Sequence, residues 1–129
     1  MADTSKIAAS LTDSGIVCVD ANGARVTAGG NGPKAGDLLL MAVAGCSGGT
    51  MKAIMAKEGC NVSKLEIAVE GVRSEGRPRR YTDINVHYTI ACDGLTEEKA
   101  AAYVKVTSEN CFVMQSISSA KHLTFTLSC

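Results

Sequence analysis

Asp37-Leu38-Leu39-Leu40-Met41-Ala42-Val43-Ala44-Gly45-Cys46-Ser47-Gly48-Gly49 is the stretch on which the fold turns. Asp37 suits a helix cap or a first helical turn, and a helix is expected to start there. From Leu38 to Lys57 the apolar residues at first surround the axis on nearly every side, the pattern of a helix covered by protein all round. Gly45, Gly48 and Gly49 each cost a helix about 1 kcal/mol relative to alanine. That cost calls for compensation, such as the close approach of another backbone or of a ligand.

Upstream of this helix, 6–12 and 16–27 are rich in β-branched residues, with turns expected at Asp13-Ser14-Gly15 and Asn22-Gly23. A glycine-rich loop, 28–36, leads into the helix. Downstream, Leu65, Ile67 and Val69 alternate with polar or small residues, as do Ile84, Val86, Tyr88 and Ile90. Two half-buried strands follow from that period of two. The short polar link 74–80 suits a hairpin loop, so these strands should pair.

Thr96 is placed to cap a second helix, with Leu95 and Ala100 as its hydrophobic staple and Glu97 and Glu98 in its first turn. Its apolar stripe, Ala100, Tyr103, Val104 and Thr107, ends at Cys111, which should share the buried face. Asn110 could cap a short further helix starting at Cys111. Leu123, Phe125 and Leu127 mark a last strand. Without repeats or linkers, this order predicts one α+β domain over 1–129, helices segregated on one face of an antiparallel sheet.

The chain has 129 residues, 46% hydrophobic and 20% charged, which fits one core and argues against disorder. Thirteen basic residues balance thirteen acidic ones, so no net field favours nucleic acid or a lipid surface, and a neutral or apolar ligand fits better. The opening 1–6 is polar and unlike an export signal. The longest apolar run, Leu38 to Ala44, falls far short of the roughly 20 residues that cross a bilayer. A cytoplasmic, reducing setting is expected, and there the six cysteines at 18, 46, 60, 92, 111 and 129 read as thiols.

Two of them stand out. Cys46 lies in the glycine-flanked part of the helix, and Cys111 stands at a helix junction, where backbone N–H groups favour thiolate. Two such thiols within disulfide reach, Cα atoms about 4.4–6.8 Å apart, can reduce a peroxide. One is oxidised to a sulfenic acid and the other condenses with it. The competing reading makes both cysteines small core residues, since free cysteine is among the most buried residue types. Cys18, Cys60, Cys92 and Cys129 lack zinc spacing and read as core or surface thiols. His87 and His122 sit on strands as solvent-facing or satisfied polar groups. Met41, Met51, Met55 and Met114 flank the two cysteines and read mostly as core. The glycine loop lacks a nucleotide-binding pattern, and no metal, flavin or other cofactor is expected.

Gly32-Pro33, followed by Asp37 to Ser47, resembles the first cysteine motif of the OsmC/Ohr proteins. Ser108-Glu109-Asn110-Cys111 is similar to that family's second cysteine motif, and Arg80 to Tyr88 to the strand between them. The resemblance runs from about Gly32 to Leu127, closest to the less characterised OsmC-like branch. It implies an intertwined homodimer in which β-sheet wraps two long central helices, with an active site at each end of the interface. It also implies reduction of organic hydroperoxides, with Cys46 peroxidatic, Cys111 resolving, and a cellular dithiol as reductant.

There are departures from the family pattern. The family's reductases carry a glutamate ten residues before the first cysteine, where this chain has Gly36, and Asp37 is the nearest acid. An arginine from the N-terminal region supports their thiolate; Arg25 is the candidate here by region, with Arg77 and Arg80 as others. Phe112 follows Cys111 where a proline or small residue is usual, which would narrow the pocket. The alternative function is a non-catalytic dimer of the same fold that binds a small apolar ligand or senses redox state.

Overall fold

The computed structural model describes residues 3–128; Cys129 lies outside them. The chain divides into an N-terminal unit ending at Leu39 and a larger unit starting at Leu40.

In the N-terminal unit, β1 (Ile7–Thr12), β2 (Gly15–Asp20) and β3 (Arg25–Ala28) form an antiparallel sheet in the order β1-β2-β3. The expected turns are both present. Asp20 closes the second by accepting the N–H groups of Asn22 and Ala24, each at 2.9 Å. Gly32 in the following loop lies so close to β3 that a Cβ there would stand 1.9 Å from the Thr27 carbonyl oxygen, and only glycine fits. Helix α1 (Ala35–Lys57) then begins two residues before Asp37 and continues into the larger unit.

That unit contains β4 (Val62–Arg73), β5 (Tyr81–Cys92), α2 (Glu97–Asn110), α3 (Phe112–Ser116) and β6 (Ala120–Leu127). Its sheet has the order β4-β5-β6. As expected, β4 and β5 pair antiparallel through the loop between them, with Ile67 opposite Tyr88 and Val69 opposite Val86. The expectation of a wholly antiparallel sheet is corrected: β6 lies parallel to β5, with Val86 opposite Leu123 and Tyr88 opposite Phe125. The reason is the connection, since α2 and α3 carry the chain back along the sheet before β6 begins, as parallel neighbours require.

The core sits on the inner face of this sheet. Ile84, Val86, Tyr88, Ile90 and Cys92 of the central strand are all buried, against Val43, Met51 and Met55 of α1 and Ala100, Tyr103, Val104 and Met114 of α2 and α3. Thr96 caps α2 by accepting the Lys99 N–H at 3.2 Å. Within this one chain, protein covers a single face of α1. Only Val43, Ser47, Met51 and Met55 are buried, one stripe at intervals of four, while Met41 is 54% exposed. A methyl group added at Gly45 or Gly49 would meet nothing within 4 Å, so no other backbone among the described residues compensates for them.

By length and composition alone α1 is long and apolar enough to cross a bilayer, although its strict apolar run is short. The glycines and hydroxyls from Gly45 to Thr50 interrupt that run but are too small and weakly polar to make the helix hydrophilic. The buried stripe marks α1 as a core helix of the larger unit.

Replacing Met51 by alanine should cost about 2–5 kcal/mol of unfolding free energy, as expected for a buried side chain. Thr96→Ala should cost about 1 kcal/mol through the lost cap. Urea titration of both variants checks this, and a Met51→Ala loss no greater than that of Thr96→Ala would contradict the assignment of the α1 stripe to the core.

Candidate active site

Cys46 lies on α1 between the buried positions Val43 and Ser47, so its half-buried side chain flanks the core stripe. Cys111 lies where α2 stops. Its backbone is extended, φ −71° and ψ 113°, and its N–H still closes the last turn of α2 on the Thr107 carbonyl oxygen at 2.8 Å. Cys111 is therefore the cap residue of α3, not its first helical residue. Asn110, considered as that cap, is the last residue of α2, and its side-chain amide donates back to the Val106 carbonyl at 2.8 Å.

This break has a chemical consequence. The first N–H groups of a helix have no partner within it. In α3 those of Phe112 and Val113 donate to the Cys46 sulfur, and the Cys111 thiol donates to it as well. Partial burial pushes the Cys46 thiol up, but the Val113 N–H, the Cys111 thiol and the Phe112 N–H together outweigh it, and the net shift is downward. Thr50 also lies within reach, although its hydroxyl already donates to the Cys46 carbonyl at 2.9 Å. Cys111, fully buried, moves the other way. Burial raises it first, and its bond to Cys46 and the charge there add to the effect against the N–H groups of Met114 and Val113. Two adjacent thiols thus shift in opposite directions, Cys46 toward thiolate and Cys111 away from it.

Two hydroxyl groups reach the pair, Thr50 at Cys46 and Tyr88 at Cys111. Tyr88 and Thr107 are fully buried; among the described residues the Thr107 hydroxyl has no hydrogen-bond partner, and that of Tyr88 has only Ser47 near it. Ser47 is the hydroxyl facing Tyr88, but its own contact is a long one of 3.5 Å to the Ala44 carbonyl. Burial raises the Tyr88 hydroxyl above the usual tyrosine range, so it stays protonated beside Cys111. These groups were not singled out as site residues in the sequence, because only the packing of α1 across β5 brings Ser47 to Tyr88.

Of the four residues read as candidates, Cys46 and Cys111 meet within the larger unit. Arg25 stands exposed at the start of β3 and Asp37 exposed in the first turn of α1, both in the N-terminal unit. Phe112 does not narrow a pocket within the chain: its ring is 78% exposed, because only its backbone turns toward Cys46. Met51, Met55 and Met114 are core residues.

Other polar groups are satisfied elsewhere. The His87 ring bridges the Thr124 and Thr126 hydroxyls at 2.6 and 2.9 Å, and His122 pairs with Asp83 at 2.8 Å. The Cys60 sulfur lies 3.5 Å from the Tyr103 hydroxyl, which is pushed up to about 12, first by that contact and then by burial. Among the described residues, no three His, Cys, Asp or Glu side chains group so as to hold a metal ion.

The profile of the family described as OsmC-like protein matches residues 28–126. Protein YhfA of Escherichia coli K12 is 29% identical over 97 residues, covering 74% of this chain and 72% of its own. A hypothetical protein from Aquifex aeolicus has a similar structure, with a TM-score of 0.88 and 23% identity over 98% of both chains. The organic hydroperoxide resistance protein OhrB of Bacillus subtilis superposes with a TM-score of 0.64 and 17% identity, again over 98% of both chains. With the match spanning both cysteines and the strands and helices that bring them together, the chain belongs to the OsmC-like protein family.

Proposed function

We propose that this protein reduces organic hydroperoxides through Cys46 and Cys111, and the observation that carries the reading is the thiol of Cys46 held toward thiolate by the N–H groups of Phe112 and Val113 and by the Cys111 thiol. In the first step the Cys46 thiolate attacks the O–O bond of ROOH. The sulfur is oxidised to sulfenic acid, and the alcohol ROH leaves after taking a proton from water. In the second, the Cys111 thiol condenses with the sulfenic acid, forming a Cys46–Cys111 disulfide and releasing water. A cellular dithiol then returns both cysteines to thiols and is itself oxidised. Every step is thiol chemistry, and the name of the structurally similar OhrB supports the substrate class. Arg25 and Asp37 are proposed to support the thiolate, in a cytoplasmic, reducing setting.

The working form is proposed to be a homodimer. On α1 the exposed face made by Ala42, Gly45, Gly49, Ala53 and Ala56 is apolar with little side-chain bulk, and exposed Met41 and Lys52 run along one edge of it. A second copy lying there can approach backbone to backbone, which would compensate for the helical glycines. Exposed Phe112, next to Cys111, would be covered in the same assembly.

Mass spectrometry of the pre-reduced protein after one equivalent of cumene hydroperoxide should find a Cys46–Cys111 disulfide, absent from Cys46→Ser; persistence of both thiols in the folded protein rejects the reductase reading. Iodoacetamide alkylation of Cys46 should rise with pH and level off with a midpoint below the roughly 8.5 of free cysteine. Because Cys111 donates to the thiolate, Cys111→Ala should move that midpoint upward, and Cys111→Ser, which keeps a donor, should move it less. Light scattering should give twice the 13.4 kDa chain mass, falling toward one chain in Gly49→Leu.

A further inference from the structure

A groove of about 710 Å³ runs between α2, α3 and β6 on the larger unit, and neither Cys46 nor Cys111 lines it. Its floor is apolar, formed by Val104, Met114, Leu123 and Phe125, and its polar lining includes two lysines, Lys105 and Lys121, with no acid. That volume lies within the roughly 300–1,000 Å³ of small-molecule sites.

Lys121 is the informative residue. It occupies an inward-facing position of β6, in the row that continues with Leu123, Phe125 and Leu127, and it pairs across the sheet with fully buried Ile84. Every other inward position on β5 and β6 is uncharged. A cation turned toward an apolar layer is unfavourable unless a partner meets it. Its ammonium donates to the Ile117 carbonyl and, among the described residues, to no carboxylate. An ammonium has three donors, so the one bond leaves two for a ligand. Lys105, exposed on the α2 side of the groove, also has no ion-pair partner among the described residues.

From this arrangement we infer that the groove binds a linear aliphatic carboxylate of the fatty-acid class, its head group held by Lys121 and Lys105 and its chain along Val104, Met114, Leu123 and Phe125. The carboxylate supplies the acceptors the two cations lack, and the chain covers apolar surface that the helices leave open. This site is separate from the thiol pair and does not depend on the peroxide chemistry.

Calorimetric titration of Cys46→Ser protein with sodium dodecanoate, below its micelle concentration and without peroxide, tests the site independently of thiol chemistry. One saturable site per chain is expected, with dodecanol binding at least tenfold more weakly. Lys121→Met should weaken dodecanoate at least tenfold and leave dodecanol unchanged. Lys105→Met, at an exposed position that folding does not depend on, should weaken it several-fold. Methyl NMR shifts on titration should fall on Val104, Met114 and Leu123. Absence of saturable binding, equal affinity for the alcohol, unchanged affinity in both lysine variants, or shifts centred on Val43 and Val113 beside Cys46 would each overturn the proposal.

Discussion

The break between α2 and α3 is one residue wide, and the site depends on it. If Cys111 were helical, the N–H groups of Phe112 and Val113 would bond to carbonyls one turn back. Its extended backbone ends α2 at the Thr107 carbonyl and leaves those N–H groups directed at Cys46. The same residue supplies a third donor from its side chain. Three hydrogen bonds to one sulfur outweigh the burial that would otherwise keep it protonated, and the neighbouring thiol, with burial dominant, moves in the opposite direction.

For that sulfur to meet those donors, α1 must lie across the sheet in one rotational setting. The stripe Val43, Ser47, Met51 and Met55 provides it, each side chain fully buried against the central strand and the second helical layer. Gly48 contributes to the close fit: a Cβ there would come within 2.7 Å of the Ile67 side chain, so the helix lies nearer β4 than a bulkier residue allows without rearrangement. Turning α1 by one residue, about 100°, would carry Cys46 away from the donors and put exposed positions into the core. The core packing and the polarisation of the thiol are thus a single constraint.

The buried hydroxyls of Tyr88 and Thr107 belong to the same core, Thr107 without a partner among the described residues and Tyr88 with only Ser47 near it. Each unpaired buried hydroxyl costs about 1–3 kcal/mol. Lys121 presents the complementary case in the groove between α2, α3 and β6, a charge facing apolar surface with donors to spare.

Much of this was legible in the sequence for a physical reason: local patterns report local structure. The alternation of Leu65, Ile67 and Val69 and of Ile84 to Ile90 fixes which face of each strand is buried, Thr96 and Leu95 mark the start of α2, and the two cysteine motifs identify the thiols. Periodicity carries no information on strand direction, so the parallel pairing of β6 became visible only once α2 and α3 were seen to return the chain. Hydropathy likewise reported an apolar α1 without saying how much of its surface this chain covers. That Cys46 and Cys111, 65 residues apart, form a pair was implied by resemblance but not by spacing, and their hydrogen bond was implied by neither. Their contact, the backbone donors of α3 and the lysine-edged groove arise from side chains and N–H groups that are distant in the chain, and only tertiary packing decides which of those meet.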